Sequence, residues 1–267
     1  MSKVLITFLF VAATCSASAA WAQPIVLFGE VHDNAAQHAL RLDEVKALLA
    51  SGARPVLLME QFDRERQPEI DRSRAATPRP DADALILAGS GAPASETRAW
   101  NWAFYKPLIE LALANDLPIV AANVSRADTR RVVRDGLAAT GFDADVPPAI
   151  VRAQAEIIER SHCGQVDMPL ATRMASAQIA RDQFMARAIT ANASRGVLLL
   201  AGNGHVRSDI GVPRWLAPAL RERAQSIGLL EEGDDTDRAA YTRVVLTPAP
   251  TREDPCAAML KGSAPGK

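Results

Sequence analysis

Phenols are scarce in this chain of 267 residues: there are only 2 Tyr, beside 4 Trp and 7 Phe. Each tyrosine can therefore be weighed individually as a ligand. An excess of either charge is also lacking. Lys and Arg total 30 against 31 Asp and Glu, a formal charge of −1, so there is no basic footprint for nucleic acid. Glycine (15) and proline (17) are near average, which excludes collagen-like and low-complexity chains. A hydrophobic share of 48% with almost no net charge excludes a disordered chain. What remains is a globular protein large enough to bury a sizeable core, as one domain or one domain with insertions.

A long apolar run is lacking too. Val4 to Ala13 follows the basic Lys3 and is too short to span a bilayer, but it has the length of a signal-peptide core. Ala20-Trp21-Ala22 is an A-x-A cleavage signature. Residues 1–22 are read as a signal peptide, giving a periplasmic or secreted protein. Cys15 follows Val11-Ala12-Ala13-Thr14, roughly where a lipoprotein signal places its cysteine. Thr14 fits that signal poorly, so plain secretion is expected over lipid anchoring at Cys15. Cys163 and Cys256 are left, and an oxidising compartment permits one disulfide between them.

The rest alternates strands with helices. Buried strands are expected at Pro24 to Phe28, Pro55 to Met59, Leu117 to Ala122 and Val197 to Ala201, with a last one at Tyr241 to Leu246. Helical spacing is read over Ala35 to Ala50, Trp100 to Ala114, Ala127 to Ala139, Leu170 to Ala193 and Pro213 to Ile227, with Pro107 and Pro218 as weak points. The implied fold is α/β: a parallel sheet flanked by helices on both faces. A single domain over residues 23–250 is expected. Insertions near 64–100 and 140–170 would form a helical subdomain, and 251–267 a fraying tail.

Polar residues gather where strands end. Strand one runs into Gly29-Glu30-Val31-His32, strand two into Glu60-Gln61, strand three into Asn123-Val124-Ser125-Arg126, and strand four into Gly202-Asn203-Gly204-His205. Ligands of open parallel sheets bind outside the carboxyl ends of the strands. Glu30, His32, Glu60, Asn123, Arg126, Asn203 and His205 are therefore expected to converge on one pocket. Two Gly-x-x-His segments with carboxylates suit a divalent metal. They suit equally a general acid and base beside an Arg that stabilises an oxyanion. This gives a hydrolase reading with Glu30, His32, Glu60, Arg126 and His205 as catalytic residues.

Other features have plainer readings. His38 is expected at the surface or core edge, and His162, beside Cys163, in a loop. Tyr241 reads as a sheet-packing residue. Met174, Gln178, Arg181 and Met185 recur at helical spacing, with Arg181 able to reach a carboxylate in the crevice. Trp100 to Pro107 is either an aromatic anchor or a platform for a planar ligand, with Tyr105 offering a phenolate, a known type of haem-iron ligand.

The chain resembles the ChaN-like haem-binding proteins, secreted bacterial lipoproteins linked to iron uptake. The resemblance rests on Gly29-Glu30-Val31-His32-Asp33, Met59-Glu60-Gln61-Phe62, Trp102 to Leu108, Ala122-Asn123, His162-Cys163-Gly164, Ala177-Gln178, Arg181-Asp182, Met185-Ala186 and Gly202-Asn203-Gly204-His205. This family looks related to a wider group with the erythromycin esterases and the metal-dependent Tiki and TraB proteins. The resemblance implies an α/β domain with a helical subdomain. It also implies haem held face to face between two protomers with iron on a tyrosine, and a role beside outer-membrane haem-uptake machinery. Tyr105 lies in a matching segment and is the implied iron ligand, with His32, Glu60, Arg181 and His205 as further cofactor-binding residues.

Overall fold

The computed structural model describes residues 23–96, 100–254 and 256–257. The signal-peptide reading, including Cys15, and the end of the tail lie outside them. Six strands form one sheet: β1 (Ile25–Phe28), β2 (Val56–Asp63), β3 (Ile119–Asn123), β4 (Val197–Leu200), β5 (Ala224–Glu231) and β6 (Arg243–Thr247). Their order is β3-β2-β4-β1-β5-β6, and every neighbouring pair is parallel. The parallel α/β expectation therefore holds.

Alternation along each strand feeds two cores. Val26, Phe28, Leu57, Met59, Leu198 and Leu200 face one way. They pack on α1 (Ala35–Ala50), α3 (Ala82–Ser90) and α4 (Trp102–Ala114), and α2 (Gln67–Arg74) adds Ile70 to the same core. Ile25, Leu27, Val56, Leu58, Val197 and Leu199 face the other way, against the C-terminal half of α7 (Met168–Asn192). The first half of α7 pairs with α6 (Pro148–Ser161) through Ala155, Ile158, Ala171 and Ala175. α5 (Arg126–Asp135) packs on α7 through Val132, Ile179 and Ala180. Among the described residues, no helix is long and apolar enough to cross a membrane.

Caps explain the helix bounds. The side chains of Asn34, Asp81, Ser125 and Asp167 each accept a backbone N–H three residues on, which starts α1, α3, α5 and α7. α5 stops at Asp135, short of the expected Ala139, because Gly136 takes φ +87°.

The expected helix over Pro213 to Ile227 is corrected. A 3-10 turn at Val212–Trp215 and the short α9 (Pro218–Arg223) are followed by β5. Pro218 opens α9 at its first position, where a missing N–H costs nothing. Ser226 to Leu230 is buried from both sides, so burial overrides the helical spacing. The last strand starts at Arg243, leaving Tyr241 just before it. Beyond β6 the chain is tied down at Arg252 and at Cys256. Arg252 holds both Asp33 and Glu231 at 2.6 to 2.7 Å, and Cys256 is disulfide-bonded to Cys163.

Connections leaving β1 and β4 run to opposite sides of the sheet, and these two strands are neighbours. That is a topological switch point, where a crevice opens outside the strand ends. Both Gly-x-x-His segments leave the sheet there.

Candidate functional site

Glu30 follows β1 and is buried, yet it meets four polar partners. The Tyr105 hydroxyl donates to its Oε1 at 2.5 Å, and His32 Nδ1 lies 2.7 Å from the same oxygen. Arg41 forms an ion pair with its Oε2, and His38 Nδ1 is 3.7 Å from that oxygen. Burial would raise the Glu30 pKa, but Arg41, His32 and His38 together hold it below the usual value. The carboxylate is therefore charged.

His38 and Arg41 come from α1. Arg41 donates to His38 Nδ1 at 2.8 Å, and His38 Nε2 lies 3.0 Å from the His32 carbonyl, which it reaches as donor. This arrangement needs a neutral ring, and burial lowers the His38 pKa accordingly. His38 is also stacked on Phe104 at 4.8 Å. It is thus a buried support of the site rather than a surface or core-edge residue. The missed signal was its spacing of three from Arg41 on a helix that must bury one face.

Tyr105 sits at 1% exposure and does not line the crevice. Burial, with the Glu30 charge, raises the phenol pKa far above its normal value. The hydroxyl keeps its proton and donates a hydrogen bond to Glu30.

A second network joins β2, α7 and the turn after β4. Here α8 (Asn203–Val206) follows Gly202. His205 Nδ1 lies 2.6 Å from Asp182 Oδ1, and its Nε2 lies 3.5 Å from Glu60 Oε1. Glu60 Oε2 accepts the Gly202 N–H at 2.8 Å. Burial alone would lower the His205 pKa, but the flanking Glu60 and Asp182 charges lift it to about 10. Burial pushes Asp182 up to about 6, although His205 opposes it. For Glu60 the burial effect is outweighed by His205, and its pKa falls to about 2. His205 is therefore an imidazolium clamped between carboxylates. Asp182 lies in one of the segments that carry the family resemblance but has no role assigned from sequence, because α7 alone does not show which residue faces His205.

The networks meet at Gly202. A Cβ there would lie 3.3 Å from His32 Nε2 and 3.9 Å from Glu60 Oε2. Glu60 raises the His32 pKa together with Glu30, against the lowering effect of burial. The His32 side chain remains 47% exposed.

Above this floor lies a cavity of about 960 Å³. Val133, Ile157, Ile158, Leu170 and Met174 form apolar walls, with Arg130, Arg134, Arg181 and His162 among them. Gln178 Oε1 and Arg181 Nε are buried with no hydrogen-bond partner among the described residues, and both residues line this cavity. Of the expected converging set, Glu30, His32, Asn203 and His205 line the crevice, and Glu60 braces its floor. Asn203 spends its amide on the backbone of Leu229, at 2.6 and 3.0 Å, and so fixes β5.

Asn123 and Arg126 are corrected: they do not reach the crevice. They line a neighbouring cavity of about 450 Å³ with Gln61, Asp63, Trp100 and Trp102, and Arg181 borders both. β3 lies at the sheet edge, two places from the switch point, and that distance separates them. Among the described residues, no group of three or more His, Cys, Asp or Glu is placed to hold a metal ion.

A family model described as "Haem-binding uptake, Tiki superfamily, ChaN" matches residues 17–216. The chain belongs to this family. The solved structure of cofacial haem binding to ChaN of Campylobacter jejuni is similar, with a TM-score of 0.67 and 19% identity. That match covers 84% of this chain and 87% of the other, and at such identity it establishes a shared fold. The type III effector HopBA1 is more distantly similar (TM-score 0.49, 11% identity, 84% and 88% covered). No curated protein matches significantly.

Proposed function

We propose that this ChaN-family protein is a secreted haem-binding protein of bacterial haem or iron uptake, and that the crevice at the β1/β4 switch point receives the haem. The observation that carries this reading is the make-up of the cavity. It is mostly apolar, yet Arg130, Arg134, Gln178 and Arg181 also line it, and Gln178 Oε1 and Arg181 Nε are buried without a hydrogen-bond partner among the described residues. Haem is a flat apolar ring with two carboxylates at one edge, and its demands match that lining. Its size is within the usual range for ligand pockets, roughly 300–1,000 Å³. Arg181 would bind a propionate and Gln178 Oε1 would accept a hydrogen bond, while the apolar walls exclude water from the ring. Bound haem would supply an iron centre that a protein side chain can ligate.

Hemin titration of the purified mature chain tests this. A stoichiometric complex with a shifted Soret band is expected, and Arg181→Ala should weaken it about tenfold, or ~1.4 kcal/mol. Absence of any complex with the wild-type chain defeats the reading. Pairing of protomers through stacked haems, which the family resemblance implies, predicts dimerisation on hemin addition. Sedimentation velocity with and without hemin checks it.

The second reading, hydrolysis, is favoured by one observation. His32 is a half-exposed base oriented by a charged carboxylate, and beside it stands the His205 imidazolium as an acid. Glu30, His32, Glu60 and His205 belong to that constellation, whereas Arg126 lines the neighbouring cavity instead. Turnover of an ester or peptide panel, with and without divalent metal and lost in His32→Ala, would support hydrolysis. A panel left untouched would count against it.

A further inference from the structure

We infer that the cavity of about 450 Å³ on the β2–β3 side of Arg181 is a second binding site, and that it takes a short peptide of dipeptide size with a free α-carboxylate. This site stands apart from the haem reading, which concerns the crevice at β1 and β4.

Three observations converge. First, Gln61 lines this cavity at 4% exposure, and neither its amide oxygen nor its amide nitrogen has a hydrogen-bond partner among the described residues. A buried polar group left unsatisfied costs about 1–3 kcal/mol. Gln61 offers donors and an acceptor together, and a peptide carries the N–H and C=O groups that answer both. Second, a break in the ladder puts Gln61 there. Met59 pairs with Ala121 and Asp63 with Asn123, so β2 carries two more residues than β3 between those pairs. Such irregularities re-aim side chains and are common beside functional sites. Glu60 faces His205 on the crevice floor, whereas Gln61 is left to the second cavity. Third, the rest of the lining suits a zwitterion with an apolar side chain. The Arg126 guanidinium has no ion pair or hydrogen bond among the described residues, and its fork of donors fits a carboxylate. Arg126 is the anchor, because Arg181 is shared with the crevice. Asp63 and Glu96 line the same space as acceptors for an ammonium. Trp102, buried and stacked on Phe62 at 5.4 Å, and Trp100 supply an apolar wall. The volume lies in the usual range for ligand pockets, roughly 300–1,000 Å³.

The test titrates glycylphenylalanine into the purified chain by calorimetry, with tryptophan fluorescence as a second readout, and repeats it with Gln61→Met and Arg126→Ala. The wild type should bind with a change in fluorescence, and each variant at least tenfold more weakly. Thermal melts without ligand separate recognition from folding. Gln61→Met exchanges an unsatisfied amide for an apolar group of similar length, so it should melt at or above the wild-type temperature. A Gln61→Met chain that melts lower and binds normally makes Gln61 structural and overturns the site. If it melts lower and binds weakly, Arg126→Ala alone decides. Glycylphenylalaninamide lacks the carboxylate and phenylalanine lacks the peptide group, and each should bind at least tenfold more weakly than the dipeptide. Equal binding of either overturns the assigned ligand. No binding of the dipeptide at millimolar concentration, or wild-type affinity in both variants, overturns the site.

Discussion

At the scale of the residue, the floor of the crevice is governed by which charges are buried side by side. His205 lies between Asp182 and Glu60, and its proton is the link between them. Its pKa is raised from 6.5 to about 10, so its contribution to stability is complete below pH 6.5 and lost as pH rises through about 10. Asp182 and Glu60 titrate at about 6 and about 2, and so do not change over most of that window. Denaturant unfolding should show stability falling from pH 6.5 toward pH 10 in the wild type. His205→Gln should lack this alkaline limb, and a wild-type profile that is flat across the window would refute the clamped imidazolium. The sequence offered His205, Glu60 and Glu30 because each follows an apolar run. It did not offer Asp182, His38 or Arg41, which lie within helices and gain their roles from what faces them. Tyr105 shows the same limit in reverse. Its segment could be recognised, but not that its hydroxyl would turn toward a carboxylate 75 residues away.

At the scale of the element, the turns leaving β1 and β4 must pass very close to each other. A Cβ on Gly29 would collide with Asn203 Oδ1 and Val206 of α8. Gly29→Ala should therefore displace Asn203 from the β5 backbone and cost ~1–3 kcal/mol, the usual penalty of overpacking a tight contact. Equilibrium unfolding measures it, and a cost near zero would mean that α8 shifts freely. Continuous apolar runs made β1, β3, β4 and the first part of β2 legible, because parallel strands covered on both faces carry apolar residues at successive positions. β5 was not legible. Its sequence follows a helix start at Pro218 without a break, and only packing between β1 and β6 makes it extended.

At the scale of the whole molecule, one covalent link joins distant parts. The Cys163–Cys256 disulfide, spanning 93 residues, ties the turn after α6 to the segment beyond β6. His162, next to Cys163, lines the crevice. On the chain-entropy account a link of this span stabilises by about 2–5 kcal/mol. Reductant, or Cys163→Ser, should lower the unfolding midpoint by a corresponding amount. An unchanged midpoint would show that Arg252, bound to Asp33 and Glu231, suffices to hold the tail.

The sequence by itself determined that this is a parallel α/β protein with its chemistry at the strand ends. Side-chain alternation and helical spacing are local properties, and a strand buried on both faces advertises itself by its apolar run. It also determined that two Gly-x-x-His turns would share one edge of the sheet. Strand order, by contrast, is a global packing outcome. Only the tertiary structure decided that β1 and β4 are neighbours with connections leaving in opposite directions, and so that His32 and His205 share a crevice floor while Arg126 lies outside it. It alone decided which carboxylate each histidine meets. Those partners lie close in space but up to 145 positions apart in the chain, a separation that no local pattern encodes.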